Sequence, residues 1–331
     1  MSSDVRRQLF ARYPTLASAQ LPAQAKTILR SELIEVDRLW RNVDLVSFTN
    51  DAGKTETGIF KYFTEMARAR HHWAEHKLLL HLPPHPLLPR YTRTVLDENS
   101  GRVVGFCAEY FSGRNLLQAS PRVLKLSWLK ELMHLVDELN LTCGMVHGDI
   151  WPANLMVNEA TDEIKLLDFG GAQPLVEQGT GSGYMYDNAL IDVQKLVTTV
   201  YRIIAHKLPE LTLWAEIPTW DWPQHPHTKL DHSIPEYQRL LSDWVARRQE
   251  LLANGGDQPR RKKQKKMSQE WPCRAKLSEI LKFNRALCCP PYKPPPVETE
   301  PAENPWVTWE RPATKDLVPG VVMLANGKKA G

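Results

Sequence analysis

The sequence predicts an α+β fold in which short antiparallel strands and one helix come first and helices dominate afterwards. Three observations predict it. Short apolar runs punctuated by turn residues fill 33–63 and again 90–110. Apolar residues then recur at three- and four-residue steps over 127–142, 190–204 and 234–252. Between the first two of those stretches lies a polar constellation, in which Asp149 is followed five residues later by Asn154 and nineteen later by Asp168.

Composition sets the frame. A chain of 331 residues with 42% apolar side chains holds one large domain or two ordinary ones around a real core. No apolar run approaches a membrane span and the start at Met1-Ser2-Ser3-Asp4 has no signal-peptide core, so no membrane partner is expected. A nuclear or cytoplasmic location, or both, follows. Five cysteines, an odd number without paired zinc spacing, fit reduced thiols.

Residues 1–29 lack a sustained period and read as a loosely ordered lead-in or a short helix. Leu33, Ile34, Val36 and Leu39, then Val43, Leu45, Val46 and Phe48, form two strands about a turn at Arg41-Asn42. Asn50 to Gly53 turns the chain into a third strand, 56–63, which carries Lys61. A helix is expected over 64–82, with Met66, Trp73, Leu78 and Leu80 among charged residues. Its histidines, His71, His72 and His76, read as a solvated face; His72 and His76 stand one turn apart but lack a third ligand. A proline-punctuated loop, 83–89, leads to paired strands 90–96 and 102–110 around the turn 97–101.

The helix 127–142, with Ser127 as N-cap, delivers the chain to the constellation. There Leu155 to Val157 and Ile164 to Leu167 read as a hairpin turned by 158–163. Asn154 then precedes its first strand and Asp168 follows its second, so both emerge at one end with Asp149. Mg²⁺ prefers such oxygen ligands and is held by one or two carboxylates plus nucleotide phosphates. Asp168 and Asn154 suit the metal; Asp149 suits a base that orients an attacking hydroxyl.

His147-Gly148-Asp149 with Asn154, then Asp168-Phe169-Gly170, resembles the catalytic and metal loops of the protein-kinase-like superfamily. The His-Gly-Asp form is similar to atypical kinases and to the aminoglycoside and choline kinase-like phosphotransferases. The resemblance implies a bilobal fold: a small antiparallel β lobe with one helix over 30–110, and a larger, mostly helical lobe over 111–285 with a basic insertion near 259–266. It implies ATP and Mg²⁺ as cofactors, Asp149 and Asn154 as catalytic residues, and Asn154 and Asp168 as metal ligands. Lys61, eighty-eight residues before Asp149, would reach the α and β phosphates, and Glu75, fourteen residues after Lys61, would pair with it. Glu109 and Phe111 would belong to the hinge whose backbone contacts adenine, and Asp192 would anchor the catalytic-loop backbone.

The chain also departs from the superfamily's pattern. The first turn, 37–44, has no glycine, where a kinase covers the phosphates with a glycine-rich hairpin. Gly148 replaces the arginine that meets a phosphorylated activation loop, and Trp151 stands where Ser/Thr kinases place a lysine. Only twenty-four residues separate Asp168 from Asp192, through 178–184, and Ala-Pro-Glu is absent. The implied activity is an atypical kinase acting on a protein Ser or Thr hydroxyl. A small-molecule kinase of the aminoglycoside phosphotransferase type and a pseudokinase scaffold are the alternatives.

Toward the end, 208–232 is rich in Pro and Trp, with Trp214, Trp220 and Trp222 read as packing; no nucleic-acid motif accompanies them, so no nucleic-acid partner is expected. Arg260 through Lys266, with Arg247-Arg248 upstream, suits a bipartite signal for a nuclear import receptor. A short helix is expected over 278–287. The Pro- and Glu-rich stretch 286–331, with Trp306 and Trp309, reads as a largely disordered tail.

Overall fold

The computed structural model describes residues 13–19, 21–22, 25–62, 66–175, 190–208, 221–254 and 322–326. The segment 178–184, Trp214 and Trp220, the basic cluster Arg260 through Lys266, the helix expected over 278–287, and Trp306 and Trp309 lie outside them. The described chain is mixed α+β, with a mostly sheet N-terminal region and four helices longer than one turn. It divides into two compact units, one holding the described residues up to His81 with Pro89–Tyr110 and 322–326, the other Leu82–Leu88 and the described residues from Phe111 to Asn254.

The first unit is built on β1 (Thr27–Leu29), β2 (Ile34–Trp40), β3 (Val43–Thr49), β4 (Thr55–Tyr62), β5 (Tyr91–Leu96) and β6 (Val103–Glu109), with β14 (Met323–Leu324) at one edge. The order is β1-β5-β6-β4-β3-β2-β14. Val46 and Phe48 alternate inward on β3, and Phe60 and Tyr62 on β4, as period-two side chains must. Lys61 sits on the central strand, opposite Val43 on one side and Phe106 on the other.

The expected antiparallel lobe needs correction: β1 pairs with β5 in parallel, Thr27 to Leu29 against Thr94 to Leu96, so the sheet is mixed, and the lead-in before it carries a short helix, Leu16–Ala19. Arg102 Nη1 also donates to Tyr13 O at 2.7 Å, and buried Arg30 pairs with Asp97 at 2.7 Å. An uncovered β5 would leave a row of backbone groups unpaired, and the lead-in satisfies them. Of the stretch expected to be a largely disordered tail, 322–326 are described, and there β14 pairs antiparallel with Ile34 and Glu35 of β2. Ala325 N–H donates to Leu33 O at 2.9 Å, and Asn326 Nδ2 donates to Glu98 Oε1 at 2.9 Å.

Helix α1 (Met66–His81) buries Trp73, Leu78 and Leu79. The solvated histidine face is a further correction. His76 is fully buried, its ring 5.1 Å from that of Phe106 and 5.7 Å from that of Tyr91, with Nε2 3.0 Å from Thr94 Oγ1. The reason is that α1 turns this face onto β5 and β6, where an aromatic slot accepts a neutral imidazole. Burial, aided by nearby Lys77, pushes the His76 pKa down from 6.5 to about 3. The unfolded chain therefore binds a proton between those values that the folded chain refuses, so stability rises with pH there. Between pH 6 and pH 5 a His76→Phe variant should lose less stability than wild type, by up to about 1.4 kcal/mol per pH unit. Urea melts at the two pH values measure it; equal slopes would contradict the assignment.

The second unit carries β7 (Arg114–Asn115), β8 (Arg122–Leu124), α2 (Leu126–Asp137), β9 (Met145–Val146), β10 (Leu155–Asn158), β11 (Glu163–Leu166), β12 (Gln173–Pro174), α3 (Ile191–Ala205), β13 (Thr228–Leu230) and α4 (Ile234–Ala253). The β10–β11 hairpin pairs Leu155 with Leu166 and Asn158 with Glu163, and β7 adds to β10. The apolar stripes of α2 and α3, among them Leu132, Leu135, Val197 and Val200, are buried. Lys125 rather than Ser127 occupies the α2 N-cap position, and the Leu126 N–H is satisfied by Asp231 Oδ1 at 2.9 Å, a partner 105 residues away. A capping box between Ser233 and Glu236 opens α4.

Arg248 on α4 is 2% exposed and donates to Asp137 Oδ1 at 2.6 Å. It is therefore a packing residue, while its neighbour Arg247 is exposed. Among the described residues no helix is long and apolar enough to cross a membrane.

Candidate functional site

The loop that carries Asp149 is held by its backbone. Buried Asp192, in the first turn of α3, accepts the His147 N–H at 2.7 Å through Oδ2 and the Gly148 N–H at 2.9 Å through Oδ1. Asn140 Nδ2 donates to the same carboxylate at 2.9 Å and to Met145 O at 2.9 Å, while Asn140 Oδ1 accepts from Arg248 at 3.1 Å. Asn140 lies in the single π-turn Glu138–Thr142 that ends α2. A buried polar chain thus runs from Arg248 through Asn140 and Asp192 to the loop. Asn140 escaped the sequence reading, although an amide between Leu139 and Leu141 is the kind of misfit that marks a buried network.

Two glycines bring the loop against the turn after β11. Gly148 has φ +75°, and a Cβ there would collide with Gly171 O. A Cβ on Gly171 would in turn lie 3.2 Å from the Asp149 Cβ. No side chain larger than hydrogen fits at Gly148 without moving backbone, and one at Gly171 would be tight against Asp149. The His147 ring, buried, packs 4.5 Å from that of Phe169, and His147 Nδ1 accepts the Asp149 N–H at 3.2 Å.

Asn154 Nδ2 donates to Asp149 Oδ2 at 2.9 Å and to Asp149 O at 2.8 Å. That fixes the amide so that its donor faces Asp149 and its oxygen faces away. Leu167 N–H donates to Asn154 O at 2.8 Å, which ties the residue before Asp168 to Asn154. Asp168 itself has φ +66°, and its Oδ1 accepts the Gly170 N–H at 3.3 Å. The hairpin register therefore brings Asp149, Asn154 and Asp168 to one end of β10–β11. Among the described residues no cluster of three His, Cys, Asp or Glu could hold a metal. Two carboxylates and an amide oxygen are nonetheless the hard-oxygen chemistry that suits Mg²⁺ with phosphate and water completing the shell.

In the first unit Lys61 Nζ lies 2.5 Å from Glu75 Oε2, both side chains largely buried. The strand lysine and helix carboxylate fourteen residues apart are thus a formed ion pair. Asn42, at the β2–β3 turn, donates through Nδ2 to Tyr62 O at 3.2 Å and lies 2.6 Å from His72 Nε2. With that amide donating, His72 Nε2 is the acceptor and the ring proton sits on Nδ1, 4.0 Å from Glu75 Oε2. The glycine-free turn is therefore anchored to the strand and helix that hold the ion pair.

Glu109 and Phe111 each have partners within their own unit. Glu109 N–H donates to Arg90 O at 2.8 Å, so that amide is not free to meet a purine. Phe111 is buried, with Lys165 Nζ 5.5 Å from its ring centroid. Lys165, also buried, donates to Leu88 O at 3.4 Å; a lysine in the apolar run 164–167 was its only sequence signal. Cys107 is buried and its thiol is pushed up by that burial, a packing residue and not a nucleophile. No protein-family model matches this chain.

Proposed function

We propose that this chain is an ATP- and Mg²⁺-dependent phosphotransferase of bilobal, protein-kinase-like fold. It would act as an atypical kinase that moves the γ-phosphoryl group to a protein Ser or Thr hydroxyl. The observation that carries the reading is the Asn154 amide, which is clamped to Asp149 by two hydrogen bonds and so turns its oxygen away from Asp149, where it would serve as a ligand for a hard cation.

In this reading Asp149 orients the acceptor hydroxyl and receives its proton. Asn154 Oδ1 and the Asp168 carboxylate hold Mg²⁺, whose charge offsets that on the phosphoryl oxygens. Lys61, fixed by Glu75, holds the α and β phosphates. Asp192 and the Gly148–Gly171 contact keep the Asp149 backbone in place before substrate arrives, which is where positioning catalysis gets its rate. A hydroxyl on a small molecule remains the alternative acceptor, favoured by Gly148 and Trp151 and by the short span to Asp192.

The test is a melting curve with and without Mg-ATP for wild type and Asp168→Ala. Nucleotide at a hundred times its dissociation constant adds about 2.7 kcal/mol to wild type. The variant gains nothing, and each protein is compared with itself, so any difference in basal stability cancels. A wild type that gains nothing up to millimolar Mg-ATP would sink the enzyme reading. It would favour a pseudokinase scaffold, for which the glycine-free β2–β3 turn pinned by Asn42 is the specific observation.

A further inference from the structure

Helix α3 follows the catalytic loop residue by residue. Asp192 takes the amides of His147 and Gly148, Thr199 Oγ1 donates to Ile150 O at 3.0 Å, and Arg202 lays its guanidinium 5.7 Å from the Trp151 ring centroid. Steps of seven and three residues keep the three on one helix face. One further step along that face is His206, the α3 C-cap, whose ring stacks on that of His225 at 3.8 Å; His227 follows at 5.5 Å from His225.

Arg122 of β8 closes the group. Its Nη1 donates to Arg202 O at 3.0 Å and its Nη2 to Leu117 O at 2.8 Å, while its buried Nε has no acceptor. Two guanidiniums and three imidazoles thus gather at the C-terminal end of α3. Among the described residues neither arginine has a carboxylate partner, whereas Arg248 and Arg114 in the same unit have Asp137 and Glu159. The surplus charge is felt within the group. The His206 pKa is pushed down to about 4 by burial and then by Arg122, His225 and His227; that of Arg122 is lowered by burial and by Arg202. A structural role accounts for Arg122, which meets the carbonyl end of a helix. It does not account for Arg202, half-exposed, whose guanidinium lies over an aromatic face two residues past Asp149 and has no carboxylate partner among the described residues.

Resting on the phosphotransferase reading, we infer that Arg202, backed by Arg122 and His206 and walled by Trp151, binds an anionic group of the acceptor. The acceptor is then a hydroxyl compound with a carboxylate or phosphate close to the hydroxyl presented to Asp149. A guanidinium suits this because its planar fork pairs with either oxyanion in bidentate fashion. The anion can belong to acidic residues flanking a Ser or Thr, or to a small phosphorylated or carboxylated alcohol.

The test uses the full chain and two measurements. Calorimetric titration without nucleotide compares a Ser peptide flanked by Asp and Glu, its Lys-flanked counterpart, and inorganic phosphate. The acidic peptide or phosphate binds and the Lys-flanked peptide does not. Arg202→Ala weakens binding at least tenfold, and Arg202→Lys, which keeps charge but loses the fork, falls between. Phosphate binding as tightly as the peptide marks a small acceptor; much weaker phosphate binding marks a protein. Equal binding of the two peptides, no binding of any probe, or undiminished binding by Arg202→Ala overturns the site. In the second measurement, transfer from Mg-ATP, Arg202→Ala raises the KM of an acidic acceptor at least tenfold, with partial rescue by Arg202→Lys. Transfer to basic acceptors at the same KM in both proteins overturns the anion site and leaves the phosphotransferase. Arginine-dependent anion binding with no transfer by wild type supports the site and overturns the phosphotransferase.

Discussion

Asp192→Ala should destabilise the protein by at least about 5 kcal/mol, more than any other single truncation around the loop. Asp192 is fully buried and its carboxylate satisfies three donors: the His147 and Gly148 amides and the Asn140 side chain. A hydrogen bond to a charged group contributes about 1.5–3 kcal/mol, and each buried donor left without a partner costs about 1–3 kcal/mol. Alanine restores none of them, and the site is too enclosed for the neighbouring chain to move in. Asp192→Asn keeps one acceptor oxygen but aims an NH₂ at a backbone N–H, so it should lose about half as much. Urea denaturation at pH 7 reads both; a loss under about 2 kcal/mol for alanine would mean that the loop is held by something other than Asp192.

Lys61→Ala should cost about 3–5 kcal/mol, and most of that should return when Glu75 is neutralised as well. The asymmetry follows from burial. Lys61 and Glu75 lie 2.5 Å apart with side chains 12% and 4% exposed, so removing the ammonium strands a carboxylate away from water. Glu75→Gln alone strands the ammonium less severely, because Lys61 is the more exposed of the two and a flexible stem can carry its charge outward. In the double variant Lys61→Ala/Glu75→Gln no charge is buried. The cycle therefore yields a coupling energy of about 2–3 kcal/mol, and additive effects would show that the pair is electrostatically unimportant.

Both predictions draw on features that differ in how far the sequence discloses them. The hairpin that gathers Asn154 and Asp168 beside Asp149 is legible because it depends on short-range spacing, two apolar runs and a turn of polar residues, whereas the Lys61–Glu75 pair is legible only through the resemblance to the kinase-like pattern. What stayed hidden depends on partners far along the chain. Nothing local to Leu126 says that Asp231 will cap α2, and nothing local to His76 says that Phe106 and Tyr91 will enclose it. His76 looked wet because charged and polar neighbours surround it in sequence, while in space its helix face meets a sheet. The backbone pairings of β1 and β14 leave almost no side-chain signature, since two or three residues can complete an edge whatever their type. Arg202 is invisible for a related reason: its relation to Trp151 exists only once α3 lies along the loop that carries Asp149.

Strand β14 has a consequence of its own. Among the described residues it pairs with β2 at two positions, with the Ala325 amide on Leu33 O and the Asn326 side chain on Glu98 beside them, a small contact for a strand that must be ordered. What keeps it seated is that the same chain delivers it, so its local concentration is high and independent of how dilute the protein is. A proteolytic cut between Ala253 and Val322 removes that advantage. The strand would then depart and bare the flank of β2, where Ile34, Val36 and Trp40 are already exposed. An open strand edge beside apolar side chains is a template for pairing with another copy. Nicked preparations should therefore aggregate while intact ones stay dispersed, and the integrity of a remote peptide bond becomes a determinant of solubility.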